Sequence, residues 1–446
     1  MAGGSAEQDR SLPFYSPQHS LDRCIMSSND IEKGSENASG GYIDRLRSFK
    51  PNVRLYLLFI LLTTFNVGIY SVIFNLYILR LGLREDSLGL ILSLSSISVG
   101  LFAIPSAFVC DRWGAKRTLL LSYAILSASL ILLYSSTSML ILPLASTMHG
   151  IALSLSLVIG ATFLVENSTP YERMHLFSMY YVIYTLSMLS GNLIGGFLPD
   201  LLTDLLLLER GGVDAYRLTL YFSLSATILS ILPLWYIKDD NPRQNELRRQ
   251  LSTYRSAMRN GSVQRMILIF ALIGLGMGTA LPFFNVYFDQ VLKASTAQIG
   301  MIFSSTQLIM MAGYCLVPIL TGRMGKITMA SLVQMASVPF LLIFAFASSI
   351  VVAAFGYTMR YLLMNLANPV LNSHKLEIVP PEERPMINSL TWTACYLFVG
   401  AGTYAGGIMM AWGHNQMPFL ITGALYALTA FLFYAFFGRD SSIRMD

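Results

Sequence analysis

Two titratable side chains that can do chemistry lie deep within long uncharged runs of this sequence. His149 and Arg360 are 211 residues apart, and each lies about eleven residues from one end of its run. A guanidinium attracts anionic or hydroxyl-bearing groups, whereas an imidazole can gain or lose a proton near neutral pH. The pattern therefore predicts a buried site in which Arg360 binds a solute and His149 senses or carries a proton.

Each of these residues also has a purely structural interpretation. His149 can instead be a neutral imidazole hydrogen-bonded to a neighbouring helix. Arg360 can instead pair with a carbonyl or a carboxylate, although the sequence at that depth supplies no acid to pair with it.

Asn75 and Asn285 form a second pair at corresponding positions. An amide in hydrocarbon needs partners, so this pair predicts either substrate contacts or a contact between helices.

The sequence lacks the residue clusters that most enzymes need. Its five histidines and four cysteines are dispersed, with no CxxC, HExxH, GxSxG or GxxxxGKS/T pattern. We therefore expect no metal site, no disulfide framework and no ATP hydrolysis. Lys and Arg lie between apolar runs and not on one face or tail, which argues against nucleic acid as a partner. A lipid-modifying enzyme or a non-transporting receptor is the alternative from another class.

The composition places most of the chain in a lipid bilayer. Of the 446 residues 54% are hydrophobic and 12% are charged, compared with about 25% charged residues in a soluble domain. Since about 20 apolar residues cross a bilayer, the uncharged runs predict six spans within 51–238 and six within 265–438. The runs lack strict alternation, so the predicted fold is all-α, with twelve transmembrane helices in two pseudo-symmetric six-helix bundles.

Polar segments flank and join these two bundles. Residues 1–50 are expected to form a disordered tail, 239–264 a linker and 439–446 a second tail. Of the 30 Lys and Arg residues, 24 lie on one side of the predicted spans and five on the other. This bias predicts that both termini lie in the cytoplasm, and we expect a multi-pass protein of the plasma membrane. Met26 opens a more ordinary leader than the residues before it, and is a candidate start of native translation.

The two predicted bundles are copies of one pattern. The sequence GluxxxProxGluArg occurs twice at an offset of 211 residues, beginning at Glu166 and at Glu377. An even number of spans in each copy preserves the direction of the chain across the membrane. We therefore predict parallel repeats related by an axis along the membrane normal, with a cavity between them at mid-depth. This geometry is typical of a transporter.

The loop after the second predicted span reads Asp-Arg-Trp-Gly-Ala-Lys-Arg at 111–117, with a degenerate copy at 322–326. It resembles the signature loop of the major facilitator superfamily, GxxxDRxGxK/R, with Ala107 in place of the first Gly. The resemblance covers nearly all of 50–438. It implies a cytoplasmic latch between the halves, in which Arg112 pairs with Glu166, and Arg323 with Glu377. The expected gating residues are Asp111, Arg112, Gly114, Lys116, Arg117, Glu166, Arg323, Gly325 and Glu377.

Glycines recur at matching positions of the fifth and eleventh predicted spans. Glycines four apart on a helical face let two backbones approach closely, so tight packing is expected. The first set resembles GPxxGG, a pattern that in the superfamily's fifth span is typical of exporters that exchange substrate for protons. Asn192 replaces the Pro of that pattern here. The expected packing glycines are Gly191, Gly195, Gly196, Gly402, Gly406 and Gly407.

The resemblance implies a monomeric secondary transporter that works by alternating access. It implies no cofactor. Transport would be driven by an ion gradient, which we expect to be a proton gradient. The implied partners are a small-molecule substrate and the lipid bilayer. Proton-coupled efflux of a drug or metabolite is the first prediction, and proton-coupled uptake of a sugar, peptide or organic anion is the alternative. A cationic drug would conflict with the predicted role of Arg360.

Overall fold

Long apolar segments form the helices of this structure. The computed structural model describes residues 49–157, 159–160, 163–164, 167–168, 170–238 and 259–438. In this part of the chain all regular structure is helical, as lipid demands, because a helix pairs its backbone polar groups within one segment. The first half contains α1 (Pro51–Arg80), α2 (Glu85–Trp113), α3 (Ala115–Ser135), α4 (Ile141–Leu157), α5 (Pro170–Leu206), α6 (Val213–Leu229) and α7 (Ile231–Tyr236).

The second half repeats this order of helices. A short 3-10 turn that contains Pro282 separates its first two helices, because proline cannot donate the next backbone hydrogen bond. The helices are α8 (Gly261–Ala280), α9 (Phe284–Gln290), α10 (Thr296–Tyr314), α11 (Val317–Met324), α12 (Lys326–Ala345), α13 (Ile350–Leu366), α14 (Asn368–Glu377), α15 (Arg384–Ala411) and α16 (Met417–Phe437).

The helices account for most of the twelve predicted spans. Within the described residues, ten helical stretches are long and apolar enough to cross a membrane. Helices α10 and α11, bent by 46° at their junction, make an eleventh if they are taken together. Helix α4 is apolar but only 17 residues long, and the segment that follows it is described only in part. The predicted tails, except residues 49–50, and most of the predicted linker lie outside the described residues.

The two ends of the first half lie on the same side of the bundle. The Asn52 side chain donates to the backbone oxygen of Lys238 and accepts from its N–H, both at 3.0 Å. We call this the linker side, because the chain continues from here into 239–258. The opposite side, which contains Arg80 and Glu85, is called the far side.

The internal repeat is visible in matching hydrogen bonds. The Tyr77 hydroxyl donates to the backbone oxygen of Tyr134 at 2.6 Å, and the Tyr287 hydroxyl donates to that of Ala345 at 2.8 Å. All four residues are buried. These bonds join equivalent helices in the two halves, so the offset of 210 to 211 residues in the sequence corresponds to a repeat in three dimensions.

The two halves contact each other through symmetry-related helix pairs, α2 with α15 and α5 with α10. A glycine meets a glycine at both crossings. A Cβ added to Gly407 would lie 2.8 Å from the Cα of Gly89, and one added to Gly300 would lie 2.8 Å from the Cα of Gly196. Such distances leave no room for a side chain. At each of the six expected packing glycines an added Cβ would lie under 3.0 Å from a neighbouring atom.

We predict that Gly407→Ala weakens the contact between the halves on the far side. The new methyl group would lie 2.5 Å from the backbone oxygen of Glu85, and such overpacking costs about 1–3 kcal/mol. The midpoint of thermal unfolding of purified protein should therefore fall. Gly322→Ala is the matched control, because a Cβ there has open space around it. Equal midpoints for the two variants would contradict this account of the crossing.

Candidate functional site

A cavity of about 380 Å³ lies between the two halves, near the middle of α5 and α13. This volume is within the range of about 300–1,000 Å³ that is usual for small-molecule pockets. Both halves contribute to its wall. The lining residues used below are Tyr70, Ser71, Asn75, Ser95, His149, Asn192, Phe284, Asn285, Gln307, Tyr357, Arg360 and Tyr361.

The wall of this cavity combines aromatic rings with uncharged polar groups and one cation. Arg360 is the only Lys or Arg among the described residues that line it, and none of them is Asp or Glu. Amides and hydroxyls supply the remaining polarity, and tyrosine and phenylalanine rings supply most of the apolar surface. The cavity therefore suits a polar solute of negative or neutral charge better than a cation.

Arg360 is buried in α13, with 2% of the residue exposed. Its Nη2 donates to the Tyr426 hydroxyl at 2.8 Å. Its guanidinium carbon lies 5.3 Å from the ring centre of Phe284 and 5.4 Å from that of Tyr426, which is within the range of cation–π attraction. Its Nε has no hydrogen-bond partner, and no carboxylate in the described residues pairs with it. The guanidinium thus retains a donor and an unbalanced charge.

His149 lies on the opposite wall, in α4. Its Nδ1 is 3.0 Å from the Ser95 hydroxyl, and its ring stacks on Tyr70 with 5.8 Å between ring centres. The bond to Ser95 is the inter-helix contact expected for a neutral histidine. The same position also exposes the ring to the cavity, so a role in carrying a proton stays a prediction.

Asn75 and Asn285 form a hydrogen-bonded pair that joins the two halves. Asn75 Nδ2 donates to Asn285 Oδ1 at 3.0 Å and also to the backbone oxygen of Pro282. Asn285 Nδ2 donates to the backbone oxygens of Ser71 and Val72, both at 3.1 Å. These contacts favour the helix-contact interpretation of the pair, although both residues also line the cavity.

Polar contacts join the two halves on the far side. Arg80 Nη2 and Asp289 Oδ1, which belong to different halves, lie 2.8 Å apart. An ion pair near water contributes only about 0–1 kcal/mol, so it can break during a transport cycle. Two further hydrogen bonds cross between the halves nearby, from Arg84 to the backbone oxygen of Ala411 at 2.9 Å and from Gln290 to Glu85 at 2.6 Å.

The signature loop lies on the linker side. Gly114 has a φ of 80°, and its N–H caps α2 by donating to the backbone oxygen of Cys110. Gly325 repeats this turn with a φ of 78°. A side chain would be strained in this left-handed conformation, which explains the glycine at both positions. Asp111, Arg112, Arg117 and Arg323 are exposed, and Lys116 is half-buried.

Glu377, which was expected to pair with Arg323 in the latch, pairs with Lys326 instead. Glu377 lies 2.8 Å from Lys326 Nζ, and not in the expected pair with Arg323. Lys326 is the first residue of α12 and Glu377 the last of α14, so this bridge joins two elements of the same half. Glu166, the expected partner of Arg112, lies outside the described residues, and that pair stays a prediction.

We predict that Asp111→Asn slows transport without preventing membrane insertion. A loop charge contributes little to helix burial, whereas the loss of a latch needed in one state shifts the balance between states. Transport should fall about fivefold or more, the usual lower range of such coupling, at equal surface expression. Asp204→Asn, an exposed carboxylate on the far side, serves as control. A normal rate in Asp111→Asn would contradict the role of this loop.

Sequence reasoning missed Lys375, which it counted with the cytoplasmic cations. The residue is 1% exposed. Its Nζ lies 4.8 Å from the ring centre of Phe270 and 5.0 Å from that of Trp392, without a hydrogen-bond partner in the described residues. The available signal was helical spacing, because Lys375 follows the buried Leu371 by four residues on one face of α14.

Two parallel helical repeats around a polar cavity are the architecture of a solute transporter. The sequence agrees with this class, because the family model of the Major Facilitator Superfamily matches residues 56–403. The chain belongs to this superfamily. Its members use ion gradients and no cofactors, bind small molecules within the membrane and typically act as monomers. No curated protein sequence matches the chain significantly.

Solved structures support the same fold. The nucleoside transporter NupG has a TM-score of 0.70 at 15% identity, covering 87% of this chain and 99% of its own. The D-xylose–proton symporter has a TM-score of 0.68 at 14% identity, covering 86% and 97%. The human organic anion transporter TETRAN has a TM-score of 0.60 at 16% identity, covering 86% and 99%. At these identities the similarity concerns the fold alone.

Proposed function

We propose that this chain is a secondary transporter that moves a small organic anion through the central cavity by alternating access. The observation that carries the proposal is the buried guanidinium of Arg360, which lines the cavity without an acidic partner. An Arg in the middle of a membrane costs at least about 2.5 kcal/mol on insertion scales. Such a charge is retained where it serves a function, and a bound anion supplies the missing counter-charge.

The rest of the wall supports this substrate class. Tyr426 and Phe284 hold the guanidinium in place on one side, and the residue lines the cavity. A charge-assisted hydrogen bond from such a donor is about twice as strong as a neutral one. A cationic drug, which the sequence already set against the predicted role of Arg360, fits less well because no described lining residue is an acid.

We propose export as the direction and protons as the coupling ion. The glycines of α5 support export, because Gly191, Gly195 and Gly196 match the glycines of the exporter pattern, with Asn192 in place of its proline. His149 supports proton coupling through its place on the cavity wall.

The second candidate is proton-coupled uptake of a neutral sugar or nucleoside. The amides of the cavity and the nucleoside and xylose transporters of the same fold favour it.

Arg360→Ala should abolish binding of anionic solutes. Removing one partner of a buried charged hydrogen bond costs about 2–5 kcal/mol, which is more than a tenfold loss of affinity. Binding of radiolabelled acids to purified protein and their movement in vesicles, in both directions across an imposed pH gradient, measure this. Arg210→Ala, an exposed far-side arginine, is the control. Normal binding in Arg360→Ala would overturn the site, and binding of neutral sugars alone would favour the second candidate.

His149→Gln should change the pH dependence of transport and leave substrate binding intact. Glutamine can keep a hydrogen bond to Ser95 but cannot carry a proton. The pH profile of proton-driven transport should flatten, while affinity at one pH stays within about twofold. Ser95→Ala separates the two effects, because it removes the hydrogen bond but keeps the imidazole. An unchanged pH profile in His149→Gln would leave only the structural role.

A further inference from the structure

Among the described residues that line the cavity, one amide makes no hydrogen bond to the protein. Gln307 of α10 lines the cavity and is half-buried. Its amide has no partner within the described residues, and neither of its two polar atoms is buried. The other three amides of the wall are engaged, because Asn75 bonds to Asn285 and Asn192 bonds to the Ser71 hydroxyl. Gln307 is therefore the amide that is open to a solute.

Gln307 lies level with Arg360 on the neighbouring helix. One span lies between α10 and α13 in the sequence, so both helices run in the same direction across the membrane. The hydroxyls of Thr306 and Thr358 are 2.9 Å apart, which sets the register of the two helices. These two residues are separated by 52 positions in the sequence, and Gln307 and Arg360 are separated by 53. The amide and the guanidinium therefore start from neighbouring positions of one wall.

The first half repeats this register with different side chains. The Ser95 hydroxyl lies 3.0 Å from Nδ1 of His149, which is the repeat equivalent of Arg360. Ser96, the repeat equivalent of Gln307, donates to a backbone oxygen of its own helix at 3.2 Å. The second half thus offers a cation and a free amide where the first half offers an imidazole and a hydroxyl that is already bonded. The polar contacts to a solute are concentrated in the second half.

The guanidinium of Arg360 also has a group that the protein leaves open. Its Nη2 donates to the Tyr426 hydroxyl, and its Nε is buried. Its Nη1 makes no hydrogen bond within the described residues and is not buried. Packed helices have axes about 8–10 Å apart, so one small molecule can reach both this nitrogen and the Gln307 amide.

The chemistry of the amide indicates what its partner is. An amide donates and accepts hydrogen bonds, and a hydroxyl group does the same, whereas a carboxylate only accepts. Arg360 is the only Lys or Arg among the described residues that line the cavity, so a second carboxylate would have no counter-charge. A neutral hydroxyl group suits Gln307 better.

We infer that the substrate is a hydroxylated organic acid, whose carboxylate binds Arg360 and whose nearby hydroxyl group hydrogen-bonds with Gln307. This inference rests on the proposed function and adds to it the chemical class of the substrate. A sugar acid is one such compound, because it combines the negative charge of the first candidate function with the hydroxyl groups of the second. Gln307 is then a residue that determines specificity, and Arg360 supplies the affinity for the charge.

The experiment compares three solutes with the same six-carbon chain by titration calorimetry on purified protein. Gluconate carries the acid and the hydroxyl groups, hexanoate only the acid, and sorbitol only the hydroxyl groups. Wild-type protein should bind gluconate about tenfold or more tightly than either of the others, because a site that hydrogen-bonds a hydroxyl group discriminates against analogues without it.

Two substitutions of Gln307 test its role. Gln307→Met removes the amide at similar size, and it should lose the preference for gluconate while binding hexanoate as the wild type does, which also shows that it is folded. Gln307→Glu places a negative charge beside the bound carboxylate and should weaken both acids. Gln416→Met makes the same change as the first variant at an exposed position, and it should bind all three solutes as the wild type does.

The outcomes separate this inference from the proposed function. If the wild type binds gluconate and hexanoate equally, or if Gln307→Met keeps the full preference, the anion site stands and the role of Gln307 is overturned. Normal binding of both acids by Gln307→Glu would also overturn it, because position 307 would then not lie beside the carboxylate. If neither acid binds, or if sorbitol binds as tightly as gluconate, the proposed function fails together with the inference.

Discussion

The charge of Arg360 constrains the rest of the structure. A guanidinium at this depth must be kept from lipid, so the helices around it must enclose a polar space. Tyr426 and Phe284 cover two of its surfaces, but neither neutralises its charge. The cavity between the halves is the remaining surface, and in the proposed function a solute with a negative charge supplies the missing partner. The proposed function therefore couples substrate binding and the stability of the closed cavity through one side chain.

Closure of the cavity depends on helices that approach without side chains between them. The crossings Gly89 with Gly407 and Gly196 with Gly300 lie at symmetry-related positions. Because each half carries the same pattern of glycines, the glycine contact forms at two places. The halves can therefore meet over a broad surface on the far side. The polar contact between Arg80 and Asp289 adds little energy in water, which suits a contact that must open in every cycle.

Much of the fold follows from local patterns in the sequence. Apolar runs predict the helices, and a constant offset predicts the repeat, so His149 and Arg360 were expected at corresponding depths in one buried site. The buried position of Lys375 was not expected, because a single cation near a polar loop looks the same in sequence whether it faces solvent or aromatic rings. The pair Arg80 with Asp289 was also missed. Its partners come from different halves, and their distance depends on the conformational state, which a local pattern does not encode.

The most direct test of the central claim uses wild-type protein and two solutes that share a carbon skeleton and carry charged groups of opposite sign. Thermal unfolding is measured with increasing concentrations of a carboxylic acid and of the amine of the same carbon skeleton. A ligand that binds the folded state raises the unfolding midpoint with concentration. The account predicts that the acid raises the midpoint and the amine does not. Stabilisation by the amine but not by the acid would contradict a cavity built around an unpaired guanidinium.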